Sequence, residues 1–78
     1  MTLSPCSWQQ VVAAIKSCCR DVDILDREEH VAIAKMPHIF TLSKAGPVPV
    51  FLQVKILQKL GITHVEYLAA LPDPPLMN

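Results

Sequence analysis

An α+β domain is what this sequence predicts: a helix, three antiparallel strands, a second helix and a short third one, with the helices covering one face of the sheet. Three observations carry that expectation. Apolar residues recur at helical spacing over Trp8–Cys19 and again over Leu52–Leu60. Between Val22 and Leu42 the apolar period switches to two. Punctuating residues, Met36-Pro37, Ala45-Gly46-Pro47-Val48-Pro49 and Gly61, fall where one pattern gives way to the next. With 78 residues there is room for one domain, 1–78, whose packed part spans about 7–71; a hydrophobic content of 51% makes a small core feasible. That content, with only two glycines, argues against disorder.

Residues 1–6 read as a short leader free to fray. Ser7-Trp8-Gln9-Gln10 then spells a capping box, and Trp8, Val11, Val12, Ile15, Cys18 and Cys19 form one stripe of the first helix. The adjacent pair Cys18-Cys19 lacks the two-residue spacer of a tetrahedral metal site, so both thiols are expected buried or half-buried at the end of that stripe. Asp21-Val22-Asp23-Ile24 alternates strictly, and Asp26-Arg27-Glu28-Glu29 is polar enough to turn. In His30-Val31-Ala32-Ile33-Ala34-Lys35, the β-branched Val31 and Ile33 share one face and His30, Ala32 and Ala34 the other. Met36-Pro37 breaks this strand, and His38–Leu42 is the third of an antiparallel meander. Pro49 suits the first turn of the second helix, where its missing donor costs nothing. On that helix Leu52, Val54, Ile56, Leu57 and Leu60 share an arc opposite Lys55, Gln58 and Lys59. Phe51 falls on the polar side, placed either to pack locally or to face a partner. Gly61 is set to close the helix in the left-handed region, and Thr63 with Glu66 spells a second capping box. Pro72-Asp73-Pro74-Pro75 stops the last helix and begins a tail over 72–78.

Seven basic and seven acidic residues cancel, so net charge by itself points away from a nucleic-acid partner. Their distribution is uneven. Asp21, Asp23, Asp26, Glu28 and Glu29 crowd together, whereas no acid occurs from His30 to Val65, where Lys35, Lys44, Lys55 and Lys59 stand with three histidines. Three irregularly spaced cysteines suit a reducing compartment, no stretch approaches the roughly 18 unbroken apolar residues of a membrane span, and the start lacks a signal-peptide pattern. A cytoplasmic protein with no membrane contact is the expectation. The scattered histidines and cysteines give no reason to expect a metal or other cofactor.

In its C-terminal half, Gly46, Pro49, Ile56-Leu57, Gly61-Ile62-Thr63 and Glu66-Tyr67-Leu68 fall without a gap into the pattern of one family. The chain resembles the HicA-type toxins of bacterial type II toxin–antitoxin pairs over about Ser7 to Leu71. The resemblance implies an α-β-β-β-α architecture similar to double-stranded-RNA-binding domains and metal-independent endoribonuclease activity that blocks translation. It also implies a catalytic histidine opening the second strand, which is His30 here. A cognate antitoxin-like protein and RNA are the implied partners, with His30 as general base or acid at a ribose 2′-hydroxyl and Lys35, Lys44 and Lys55 as candidate phosphate contacts. His38 and His64 are expected to be ordinary surface residues. Two departures stand out. Glu28 and Glu29 occupy the place of a small Gly-Ser or Gly-Gly pair, and Pro49-Val50-Phe51-Leu52 replaces a proline, a basic residue, a glycine and a threonine. Two readings therefore remain open: an RNA-directed toxin held by its antitoxin, and a diverged, non-catalytic relative that uses the fold to bind another protein.

Overall fold

The computed structural model describes residues 3–72. In chain order these form α1 (Trp8–Cys18), β1 (Asp23–Asp26), β2 (His30–Lys35), β3 (His38–Ser43), α2 (Val50–Leu60) and α3 (His64–Ala70). The α+β order predicted from the two apolar periods is the order observed. The expected tail beyond residue 72 lies outside the described residues.

Helix α1 starts where Ser7 closes its capping box, its Oγ accepting from Gln10 N at 3.2 Å while Gln10 Oε1 accepts from Ser7 N at 3.1 Å. It ends one residue before the apolar stripe does. Cys19 turns to extended backbone, yet its N–H still donates to Ile15 O at 2.8 Å. Of the adjacent thiols Cys19 is buried and Cys18 half-buried, as the stripe required.

The strands form one antiparallel sheet in the order β1-β2-β3. Strand β1 runs two residues further than the alternation suggested, its pairing with β2 continuing through Leu25–Ala32 and Asp26–Val31, and the Asp26 carboxylate pairs with Lys44. Arg27 N donates to His30 O at 2.8 Å, which leaves Glu28-Glu29 as the whole of the first hairpin's turn. Neither residue takes a positive φ, so the turn is not one of the primed types that hairpins favour. Met36-Pro37, joined by a cis peptide, makes the second turn, between Lys35 and His38.

One face of the sheet lies under the helices. Val31, Ile33 and Leu42 are fully buried there, with Ile24 and Phe40 partly so, against Val11, Ala14 and Ile15 of α1, Ile56 and Leu57 of α2, and Tyr67 of α3. The opposite face exposes His30, Leu25, Ile39 and Thr41, with small Ala32 and Ala34 between them. Burying residues on alternate positions is what fixes the register, since a slip of one residue would turn Val31 and Ile33 to water.

Gly61 closes α2 at φ +73, its left-handed backbone accommodated by the missing side chain. Thr63 and Glu66 complete the second capping box and restart the chain as α3. Three expectations are corrected. The leader is pinned rather than frayed at Cys6, which is buried and forms a bridge to Val48 with bonds of 2.7 and 3.3 Å. Pro49 is the extended N-cap of α2 rather than a first-turn residue, so the helix begins at Val50. Gln53, outside the expected apolar arc, is 1% exposed. Its Nε2 donates to Ser4 O at 2.9 Å and Val48 O at 3.0 Å, and its Oε1 accepts from the Tyr67 hydroxyl at 2.7 Å. These bonds let a polar group sit in the core without an unmatched atom, and they tie the leader, α2 and α3 together.

Candidate functional site

The two hairpin turns determine what surrounds His30. As the first residue of the central strand it follows the Glu28-Glu29 turn directly, and the register sets it opposite Ser43 of β3. Lys44 N donates to Glu29 O at 3.0 Å, which makes Glu29–Lys44 a hydrogen-bonded pair and His30–Ser43 the close, non-hydrogen-bonded pair beside it. Glu28, Glu29, His30, Ser43, Lys44 and Ala45 thus line an open cleft of about 310 Å³ at one end of the sheet. His30 is exposed, and among the described residues no side-chain hydrogen bond restrains its ring. An imidazole in that setting can rotate toward a ligand.

The four candidate residues do not converge. Only His30 and Lys44 line the cleft. Lys35 sits at the other end of β2, five residue steps away, which is about 16 Å at about 3.3 Å per residue. There it bonds Cys19 Sγ at 3.3 Å and faces Asp21 at 3.4 Å. Lys55 is exposed on α2 and is not part of the cleft lining. Lys44 itself is engaged twice: it pairs with Asp26, and its ammonium lies 4.4 Å from the centre of the Trp8 ring. Its side chain keeps only 21% of its exposure, so it presents little free charge to a ligand.

The cleft's electrostatics follow from this. Two exposed carboxylates, Glu28 and Glu29, stand beside one lysine already matched by Asp26. Each unit charge about 4 Å from a phosphate in water opposes it by about 1 kcal/mol, and more where the cleft excludes solvent. The other histidines have other surroundings: His64 is exposed at the start of α3, while His38 is half-buried and stacks on Phe40 at 6.4 Å between ring centres. Among the described residues no three His, Cys, Asp or Glu side chains are grouped to hold a metal ion, and no helix is long and apolar enough to cross a membrane.

Ser43, Asp26 and Trp8 are the site neighbours that sequence reasoning missed. Ser43 had a signal, since counting outward from the two-residue turn at Met36-Pro37 places it opposite His30. Asp26 and Trp8 had none, because their contact with Lys44 joins three separate elements. No family model matches the chain, and no curated protein or solved structure is significantly similar to it.

Proposed function

We propose that the protein is a HicA-like toxin of a toxin–antitoxin pair that engages RNA through the cleft around His30. The observation behind this reading is an unrestrained, solvent-facing imidazole at the first position of the central strand, beside the Ser43 hydroxyl. The order of elements from α1 to α2 is also the one the HicA resemblance implies, with α3 added after it. In this role His30 takes the proton of a ribose 2′-hydroxyl as that oxygen attacks the neighbouring phosphorus, and the bond to the 5′-oxygen of the next nucleotide breaks as that oxygen takes a proton from solvent. The Ser43 hydroxyl lines the same cleft, and since its oxygen accepts from Ala45 N at 3.1 Å its proton is left to donate to a phosphate oxygen. Lys44 contributes once a polyanion competes it away from Asp26. Growth after induced expression in a bacterial host tests the reading. Arrest by the wild-type chain that His30→Ala relieves is expected; equal growth of the two overturns the catalytic assignment.

A second reading, a non-catalytic protein-binding relative, is favoured by one feature. The acidic rim of the cleft opposes RNA, whereas β3 is a sheet edge without Lys, Arg, Asp or Glu, and such residues are what ordinarily keep an edge from pairing. Met36, Ile39 and Phe51 are exposed at 81%, 62% and 74%. Under this reading the full chain recovers a stoichiometric protein partner from its host, and His30→Ala leaves that recovery unchanged. Recovery abolished by His30→Ala returns the weight to the histidine cleft.

A further inference from the structure

At the end of the sheet away from His30, three reactive groups from two parts of the chain meet. Cys19 follows α1, Asp21 lies in the connection to β1, and Lys35 closes β2. The Cys19 thiol donates to Asp21 Oδ1 at 3.1 Å, Lys35 Nζ donates to Cys19 Sγ at 3.3 Å, and Lys35 Nζ lies 3.4 Å from Asp21 Oδ1. The sulfur is therefore held at van der Waals contact with an amine nitrogen while a carboxylate touches both. Side-chain exposures of 37% for Lys35 and 70% for Asp21 open the group to solvent, so a small oxidant can arrive although Cys19 itself is 8% exposed.

We infer that Cys19 and Lys35 are a modification site, joined by a sulfur–nitrogen bond when the protein meets a peroxide. In the first step the sulfur attacks one peroxide oxygen and the O–O bond breaks. Cys19 becomes a sulfenic acid, oxidised by two electrons, and the peroxide is reduced to water. In the second step Lys35 gives up its proton to solvent and its lone pair attacks the sulfenic sulfur. The S–N bond forms, the S–O bond breaks, and the departing oxygen leaves as water. The sum is thiol, amine and hydrogen peroxide going to a sulfenamide and two waters, so the chain loses two hydrogens.

The other thiols lack this arrangement. Cys6 faces the Ser4 carbonyl at 3.2 Å and Cys18 the Glu66 carbonyl at 3.6 Å. Burial pushes both upward, away from the reactive thiolate. At the triad the hydrogen bond to Cys19 and then the charge of Asp21 hold the Lys35 ammonium above its ordinary value, and the bond from Cys19 holds Asp21 below its own, so Lys35 rests protonated and must give up that proton before it attacks. Cys18, although adjacent in sequence, points toward α3 while Cys19 points toward the sheet, so Lys35 is the better placed nucleophile. The bond would fasten the end of α1 to the end of β2.

The test treats the purified full chain with hydrogen peroxide, blocks free thiols, and measures intact mass and tryptic peptides. The expected result is loss of two hydrogens, reversed by dithiothreitol. Cleavage after Lys35 should fail, with the Ser17–Arg20 peptide joined to Glu28–Lys44. Cys18→Ser should keep the product, and the charge-conserving change Lys35→Arg at this half-buried position should abolish it while leaving the fold intact by circular dichroism. A Cys18–Cys19 disulfide persisting in Lys35→Arg, oxidation of Cys19 to sulfinic acid beside an unmodified Lys35, or an unreacted Cys19 would each overturn the inference.

Discussion

Replacing Tyr67 by Phe should destabilise the domain by about 1–3 kcal/mol, the cost of stranding a buried hydrogen-bond acceptor. The perturbation removes one oxygen from a side chain with no exposed surface and leaves its ring in place. What it strands is Gln53 Oε1, which accepts from the Tyr67 hydroxyl at 2.7 Å, while Gln53 Nε2 stays committed to the Ser4 and Val48 carbonyls. For a domain of this size each kcal/mol corresponds to about 4–8 °C in Tm. Urea unfolding followed through the single tryptophan, Trp8, reads the change directly. A pH series adds an independent check. Burial raises the Tyr67 phenol above its ordinary 10.0, so the unfolded chain ionises first and the native state resists. This contribution is complete below about pH 10 and is lost as pH rises beyond it. Wild type should therefore lose stability above about pH 10, and Tyr67→Phe should flatten that loss. An unchanged midpoint in Tyr67→Phe, with the same alkaline profile as wild type, would refute the buried network.

Other substitutions test other levels of the structure. Gly61→Val should cost about 1–2 kcal/mol in thermal unfolding through left-handed strain alone, because open space surrounds the site where a Cβ would be added. Ile33→Ala should cost about 2–5 kcal/mol by emptying the centre of the helix-covered face, measurable in the same urea assay. Glu28→Gly combined with Glu29→Ser removes both carboxylates from the His30 cleft. RNA binding at low salt should tighten roughly tenfold, with a steeper salt dependence as phosphate contacts are gained. Binding no tighter than wild type in a filter or fluorescence titration would remove the RNA reading and leave the protein-binding one.

The histidine cleft was half legible in the sequence. The exposed start of β2 follows from alternation, since Val31 and Ile33 can reach the core only if His30 turns outward. The flanking glutamates follow from adjacency. The lysines did not follow, because a side chain's partner depends on what the fold brings from afar. Lys44 is claimed by Asp26 and Trp8, and Lys35 by Cys19 and Asp21, and neither set of contacts has a local spacing to read.

The same division runs through the whole fold. Local chemistry alone determined both capping boxes, the glycine stop, the period-two strands and the apolar faces of the helices, because each depends on neighbours within about four residues. Tertiary structure decided that Cys6 would bridge to Val48, that Gln53 would be buried, and that Tyr67 would satisfy it. Those outcomes require leader, α2 and α3 to meet. A glutamine on a helix surface reads as solvent-facing until a distant hydroxyl and a distant carbonyl, with the nearby Val48 carbonyl, make its burial cheaper than its exposure.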